Sequence, residues 1–252
     1  VNDDGLQGRV FLVTGSGRGL GAALARAAGA RKARVVVNCQ RDAKAAEAVV
    51  AEVQKAGGEA IAVRADVSAF AEARALVDRA LSKWGRIDVL VNTVGGFAWN
   101  SLVEVEPEEW RRVVATNLDS VFHMCRLVVP HMREKRFGRI VNFAAVGAAA
   151  TLGEPQMAAY SAAKAGVVAL SRALALEEAR RGITVNVVSP GLLKDETGSR
   201  AAAAADALLG ERVPVGHPGR AADVVRTVLF FASPAADFVT GQVVEVAGGS
   251  RP

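Results

Sequence analysis

Tyr160 and Lys164 stand four residues apart in Tyr160-Ser161-Ala162-Ala163-Lys164, and Tyr160 is the only tyrosine in a chain of 252 residues. On a helix this spacing puts both side chains on one face, a turn apart. An ammonium beside a phenol favours the phenolate. The pair is therefore expected to have a lowered tyrosine pKa, suited to proton exchange near neutrality. By itself such a pair reads better as a surface Tyr–Lys contact. A second group changes that weighing: Thr14-Gly15-Ser16-Gly17-Arg18-Gly19-Leu20-Gly21, which follows an apolar run and opens a helical pattern. Glycines there let the backbone approach a pyrophosphate, and a helix N-terminus offers it unpaired N–H groups and a positive dipole end. Gly15, Ser16, Arg18, Gly19, Leu20 and Gly21 are the candidate contacts.

The next apolar run ends in Asn38-Cys39-Gln40-Arg41, with no acid before Asp42, which reads as a helix cap. A dinucleotide with a free 2′-hydroxyl is usually met by an acid at that place. Arg18 and Arg41 suit a 2′-phosphate instead, so NADP(H) is favoured over NAD(H). Simple solvent exposure of both arginines is the competing account.

These groups need a scaffold. Apolar runs that read as buried parallel strands recur at 10–14, 34–38, 60–64, 87–91, 139–143, 183–188 and 242–246. Helical patterns fill the gaps at 19–31, 42–56, 68–84, 107–134, 156–180 and 221–233. Strict alternation predicts an α/β fold, a doubly wound parallel seven-stranded sheet with helices on both faces. Pro107 suits a first helical turn, Gly57-Gly58 and Gly182 suit helix ends, and Ser68 and Asp42 suit helix starts. One boundary lacks its usual residue. The first helix should stop near Lys32, where Arg31-Lys32-Ala33 holds no glycine, predicting another kind of termination or a strained lysine. Residues 192–215, with the alanine run 201–205, read as a mobile lid within a single domain spanning 1–252.

Composition narrows the function class. Apolar residues make up 51% of the chain and charged residues 23%, which suits a folded domain with a sizeable core. No apolar run is long enough to span a bilayer, and the acidic start Val1-Asn2-Asp3-Asp4-Gly5 has no signal-peptide core, so a cytoplasmic protein is expected. Cys39 and Cys125 have no metal or redox spacing and read as reduced thiols. The net charge of +5 invites nucleic acid as a partner. Its best segments, 31–34 and 133–136, are short and without interleaved aromatics, and solvated helix ends explain them better. His123, His131 and His217 have no metal-like grouping.

In order and spacing, the residues resemble the short-chain dehydrogenase/reductase family over nearly the whole chain, and its 3-oxoacyl-carrier-protein reductase group in particular. The resemblance rests on several segments. Thr14–Gly21 is similar to the family's cofactor turn and Asp66-Val67 to its adenine-contacting pair. Asn92-Thr93-Val94-Gly95 stands where the family has Asn-Asn-Ala-Gly. Asn117, in Thr-Asn-Leu-Asp-Ser-Val-Phe, resembles the family's helix asparagine, and Tyr160 to Lys164 its Tyr-x-x-x-Lys. Asn186 to Gly191 resembles the nicotinamide-side loop and Phe238 to Gly249 the last strand. The resemblance implies a Rossmann fold with Asn92, Gly95, Pro190 and Gly191 near the cofactor. It implies Tyr160 as proton donor to a carbonyl oxygen, Lys164 on the nicotinamide ribose, and Asn117 holding a water that links Lys164 to solvent. It also implies a homotetramer or homodimer joined through 107–134 and 156–180.

The departures are as informative. The family places a serine after the fifth strand to donate to the substrate oxygen; in Asn142-Phe143-Ala144-Ala145-Val146 that place is Ala145. Thr151, in a segment slightly longer than in relatives, is the candidate substitute. Asp195 stands near where a threonine is usual, and Ala247 replaces an aspartate. Losing one oxyanion donor costs about 10²–10³ in rate. Three readings follow: a reductase for a specialised apolar ketone, quinone or imine; an oxoacyl reductase with a substitute donor; or a catalytically weak NADP(H)-binding partner or regulatory protein. Phe97 and Trp99 could line the substrate pocket with Ala145, or else cover core or a subunit contact.

Overall fold

The computed structural model describes residues 4–96, 98–194 and 213–250. Seven parallel strands form one sheet: β1 (Val10–Thr14), β2 (Arg34–Cys39), β3 (Glu59–Arg64), β4 (Val89–Asn92), β5 (Gly138–Phe143), β6 (Ile183–Pro190) and β7 (Val243–Val246). Their spatial order is β3-β2-β1-β4-β5-β6-β7. The strand order reverses between β1 and β4, and a doubly wound sheet opens its ligand crevice there, at the strands' carboxyl ends.

The helices are α1 (Gly19–Gly29), α2 (Ala43–Lys55), α3 (Phe70–Trp84), α4 (Pro107–Val114), α5 (Ser120–Lys135), α6 (Ala158–Glu178) and α7 (Ala221–Ala232). They cover both faces, which explains why the central strands read as unbroken apolar runs. Phe11, Val13, Val35, Val37, Val89 and Val91 pack with Leu24, Val49, Val53, Val228 and Phe231 of α1, α2 and α7. The intervening Leu12, Val36 and Leu90 pack with Leu76, Met124, Val128 and Val167 of α3, α5 and α6. Strands β3 and β7 are the half-exposed edges.

Asp42 accepts a hydrogen bond from the Ala45 N–H, capping α2 as expected. Pro107 opens α4. Ser68 does not cap α3, which starts after Ala69; its hydroxyl and N–H go to Asp66 instead. Lys32 is left-handed, at φ +57°. Its N–H reaches the Gly29 carbonyl at 2.8 Å, and the Ala33 N–H reaches Ala28 at 3.2 Å, closing α1 in the manner that usually uses glycine. The long helix expected over 107–134 is interrupted by a π-turn at Ala115–Asp119. Most of the segment read as a lid, together with Asp195, lies outside the described residues. At its start the Lys194 N–H donates to the Gly219 carbonyl at 2.7 Å and the Gly219 N–H to Leu192 at 2.9 Å.

Candidate active site

The glycine turn sits at the carboxyl end of β1. Gly15 is left-handed (φ +62°), and a Cβ there would meet the Val94 side chain at 3.0 Å. A Cβ on Gly21 would stand 2.7 Å from the Gly15 carbonyl oxygen and 2.8 Å from Thr93 Oγ1, so only glycine lets α1 pack this close. Gly19, at φ +55°, has open space around its Cβ direction, and Leu20 packs against the α1-side core. No side chain caps α1, and its first turn holds no acid. Free N–H groups at an uncapped, acid-free helix start are what an anionic pyrophosphate needs, so these residues fit the cofactor.

The Ser16 side chain turns into the protein. It is fully buried, its hydroxyl donates to the Val13 carbonyl at 2.6 Å, and it accepts from the Asn38 N–H at 3.0 Å. Asn38 Oδ1 in turn accepts from the Gly15 N–H at 3.0 Å. The serine side chain thus shapes the turn from below rather than facing a ligand.

Arg18 and Arg41 are both exposed. Asp66 accepts from the Ser68 hydroxyl at 2.6 Å, the Ser68 N–H at 2.9 Å and Gln40 Nε2 at 2.6 Å. Against a desolvation that raises it, these bonds and the nearby Arg41 charge hold the Asp66 carboxyl below its usual range. Gln40, which no motif singles out, therefore ties the end of β2 to the segment after β3. Val67 is buried, and its carbonyl accepts from the His123 ring at 3.2 Å.

Asn92 also turns inward, its Oδ1 buried without a partner among the described residues. Its Nδ2 donates to Asn142 Oδ1 at 2.8 Å, Asn142 Nδ2 donates to Ser171 Oγ at 2.9 Å, and Ser171 Oγ donates to the Val167 carbonyl at 2.6 Å. This buried ladder links β4 and β5 to α6, so Asn92 positions the helix bearing Tyr160 rather than presenting its amide to the crevice.

Beyond β4 the chain runs close to two groups. A Cβ on Gly95 would stand 2.5 Å from Asn117 Oδ1 and 3.4 Å from Lys164 Nζ. Asn117 lies inside the π-turn, and its Nδ2 donates to the Gly96 carbonyl at 2.6 Å and to Val113 at 2.9 Å. Its Oδ1 is buried with no partner among the described residues. Such π-turns swing one side chain out of helical phase and are frequent at functional sites. Lys164 is buried, with Nζ donating to the Phe143 carbonyl at 2.9 Å and lying 5.5 Å from the centre of the Tyr160 ring. Burial lowers the Lys164 ammonium to about 8. Burial also raises the Tyr160 phenol, which reverses the expected lowering. Removing water from the phenolate outweighs whatever the ammonium supplies.

Ala145 follows β5, half-buried. Thr151 supplies no donor there: its hydroxyl is exposed and bonds the Ala150 carbonyl at 2.6 Å. Pro190 ends β6 opposite Val246, and a Cβ on Gly191 would lie 2.7 Å from Ala247 Cα. Trp99 is 62% exposed, so it does not cover core. Its neighbour Asn100 donates its N–H to the Gln156 carbonyl at 3.0 Å, tying the loop after β4 to the loop before α6. Phe97 lies outside the described residues. Among the described residues no histidine, cysteine or acid forms a metal-holding group. Both cysteines are free and buried, and burial pushes the Cys125 thiol up to about 12.

Comparison with known proteins agrees with this geometry. A family model described as enoyl-(acyl carrier protein) reductase matches residues 15–251. The chain is 41% identical to 3-oxoacyl-[acyl-carrier-protein] reductase of Synechocystis, over 97% of each chain. It is 38% identical to the corresponding reductase of Staphylococcus epidermidis, over 94% of this chain and 97% of that one. Among solved structures, one assigned as a short-chain alcohol dehydrogenase from Sinorhizobium meliloti superposes with a TM-score of 0.88 at 28% identity, over 96% of each chain. Another, assigned as a gluconate dehydrogenase from Agrobacterium tumefaciens, gives 0.87 at 34% identity, over 97% of this chain and 96% of that one. With the seven-stranded Rossmann sheet, the glycine turn and the Tyr160–Lys164–Asn117 cluster, these matches identify the chain as a member of the short-chain dehydrogenase/reductase family of oxidoreductases.

Proposed function

We propose that the protein is an NADPH-dependent reductase of a specialised apolar carbonyl compound, a ketone or quinone, or of an imine. The observation that carries this reading is the convergence at Gly95, where the buried Lys164 Nζ and the unpartnered Asn117 Oδ1 both lie close to the position a Cβ would take. Buried polar atoms are normally satisfied, and this acceptor suits a water between Asn117 and Lys164. When bound, the reduced nicotinamide supplies a hydride. The uncapped start of α1 holds the pyrophosphate, Arg18 and Arg41 the 2′-phosphate, Asp66 and Val67 the adenine, and Lys164 a ribose hydroxyl. Pro190 and Gly191 border the nicotinamide. Tyr160 gives its hydroxyl proton to the substrate oxygen or nitrogen as the neighbouring carbon is reduced, and Lys164 with its Asn117-bound water returns a proton to Tyr160.

Ala145 sets the substrate class. A substrate already activated toward hydride needs one donor fewer, and the half-buried alanine, with Trp99 at the rim, leaves room for an apolar ring. The resemblance to 3-oxoacyl-carrier-protein reductases at 41% identity favours that activity as a second reading. It needs a donor that Thr151 does not supply. A non-catalytic NADP(H)-binding role would use Lys164 for the ribose but give no part to Tyr160 or to the buried Asn117 Oδ1. We further propose a cytoplasmic homotetramer or homodimer, supported by exposed Trp110, Phe122 and Leu176 on α4, α5 and α6, with residues 192–215 as a substrate lid. No described helix is long and apolar enough to cross a membrane. The test is a turnover screen with NADPH against ketones, quinones, imines and oxoacyl thioesters. Turnover of thioesters alone selects the second reading, and none with any substrate selects the binding role.

A further inference from the structure

The loop that leaves β5 carries Ala145 and then turns at Gly147, which is left-handed at φ +79°. Gly147 is the hub of this loop. Its carbonyl accepts the N–H groups of Ala150 and Leu152, at 3.0 and 3.1 Å, while Ala145 accepts the Ala148 N–H at 3.1 Å. Its own N–H donates outside the loop, to Glu245 Oε1 at 2.7 Å.

Glu245 lies on the edge strand β7, in register with Ser189 of β6. Phe143 and Val188 are paired one position earlier, so Ala144, Ser189 and Glu245 form one row at the carboxyl end of the sheet. Val187, Val243, Ala144 and Ala148 share a cluster with Val168 of α6, and strand alternation puts Glu245 on that same face. Two strand spacings separate β5 from β7, about 10 Å, more than a glutamate side chain spans. The loop must fold back across β6 to meet it, and the left-handed turn at Gly147 provides that reversal. Ser189, in the middle of the row, is fully buried with its hydroxyl unpartnered among the described residues.

Resting on the reductase reading, we propose that Glu245 is a positioning residue of the substrate site. Its carboxylate fixes the loop bearing Ala145, and so fixes the wall against which the substrate's reacting carbon is held opposite Tyr160. A charge-assisted hydrogen bond to a backbone N–H is among the stronger single ties available. In a loop with no serine to hold the substrate oxygen, orientation depends on the rigidity of the wall.

The experiment compares wild type, Glu245→Ala and Glu245→Gln by amide hydrogen exchange and by steady-state kinetics with NADPH. Glutamine keeps an acceptor oxygen and lacks the charge. In Glu245→Ala, exchange at Gly147, Ala150 and Leu152 should quicken about tenfold. The kcat/KM for substrate should fall about tenfold with the Kd for NADPH unchanged, and Glu245→Gln should recover most of both losses. Unchanged exchange in Glu245→Ala would overturn the brace. Faster exchange with unchanged kinetics would overturn the positioning role. If no variant, wild type included, turns over any substrate, the reductase reading falls and takes the positioning role with it, while exchange still decides whether the brace exists.

Discussion

Lys164 Nζ lies 5.5 Å from the centre of the Tyr160 ring, and the same burial that lowers the ammonium to about 8 raises the phenol. The two shifts have opposite consequences for stability. For Lys164 the unfolded chain binds more protons than the folded one between about pH 8 and 10.5, so unfolding free energy rises with pH across that window. Tyr160 acts above the ordinary phenol range, where the folded state keeps its proton longer and stability falls as pH rises. Lys164→Met should therefore remove the alkaline gain, about 3 kcal/mol at most, and be more stable than wild type below pH 8 while losing turnover. Chemical denaturation at pH 7 and pH 9.5 checks it; an identical pH dependence in both proteins would contradict the assignment. In the free protein, ultraviolet titration of the single tyrosine should give a midpoint above that of a free phenol.

Cofactor choice is read from the end of β2. With no carboxylate between Asn38 and Asp42 and with Arg18 and Arg41 exposed, NADPH should bind at least about tenfold tighter than NADH, roughly 1.4 kcal/mol. Arg41→Ala should erase most of that margin by weakening NADPH and leaving NADH alone. Fluorescence titration measures both, and equal affinities in wild type would sink the preference.

Gly95 has no room for a side chain. Its Cβ would stand 2.5 Å from Asn117 Oδ1, so Gly95→Ala should displace the amide and cut kcat by about 10². NADPH affinity should fall less than kcat, since the pyrophosphate is held by the glycine turn and the start of α1 rather than by Asn117. A kcat within twofold of wild type would show that the Asn117 position is not needed.

Lys32 tests what could be read without a structure. The missing glycine at the end of the first helix predicted either another kind of termination or a strained lysine, and φ at Lys32 is +57°. Lys32→Gly should raise stability by about 1 kcal/mol, measured by denaturant midpoint, and an unchanged midpoint would mean that the lysine pays no conformational cost. The strands were legible for a related reason: burial on both faces leaves an unbroken apolar run. Side-chain direction was not legible. Ser16 and Asn92 sit in motifs expected to face a ligand, yet their side chains turn inward, because a motif fixes a position and not where a polar group spends its hydrogen bonds. Between Pro107 and Pro130 no glycine or proline breaks the helical pattern, so the π-turn at Asn117 was hidden as well. It depends on the side chain reaching the Val113 and Gly96 carbonyls, and the second of these comes from a distant loop. Glu245 looked like any solvated acid on an edge strand.

Ala145→Ser tests the substrate class. The alanine is half-buried at the start of a loop that Glu245 holds at Gly147 and whose base is tied through the Phe143 carbonyl to Lys164. A serine there adds one hydroxyl on a supported backbone, and the volume change is small enough for the fold to survive. On simple ketones, where the alkoxide developing at the oxygen is met by Tyr160 alone, a second donor should raise turnover by about an order of magnitude. That is less than a preorganised donor supplies, because the loop from Ala145 to Tyr160 has not been shaped around the new group. A bulky apolar substrate filling the space beside Ala145 should behave oppositely, losing rate as the hydroxyl is desolvated without a partner. Steady-state rates of one variant on both classes separate the alternatives. A gain on simple ketones with a loss on bulky ones supports a specialised pocket, and a gain on both indicates a site merely short of a donor. No change on either, with NADPH still bound, would remove position 145 from the reaction and leave the NADP(H)-binding role standing.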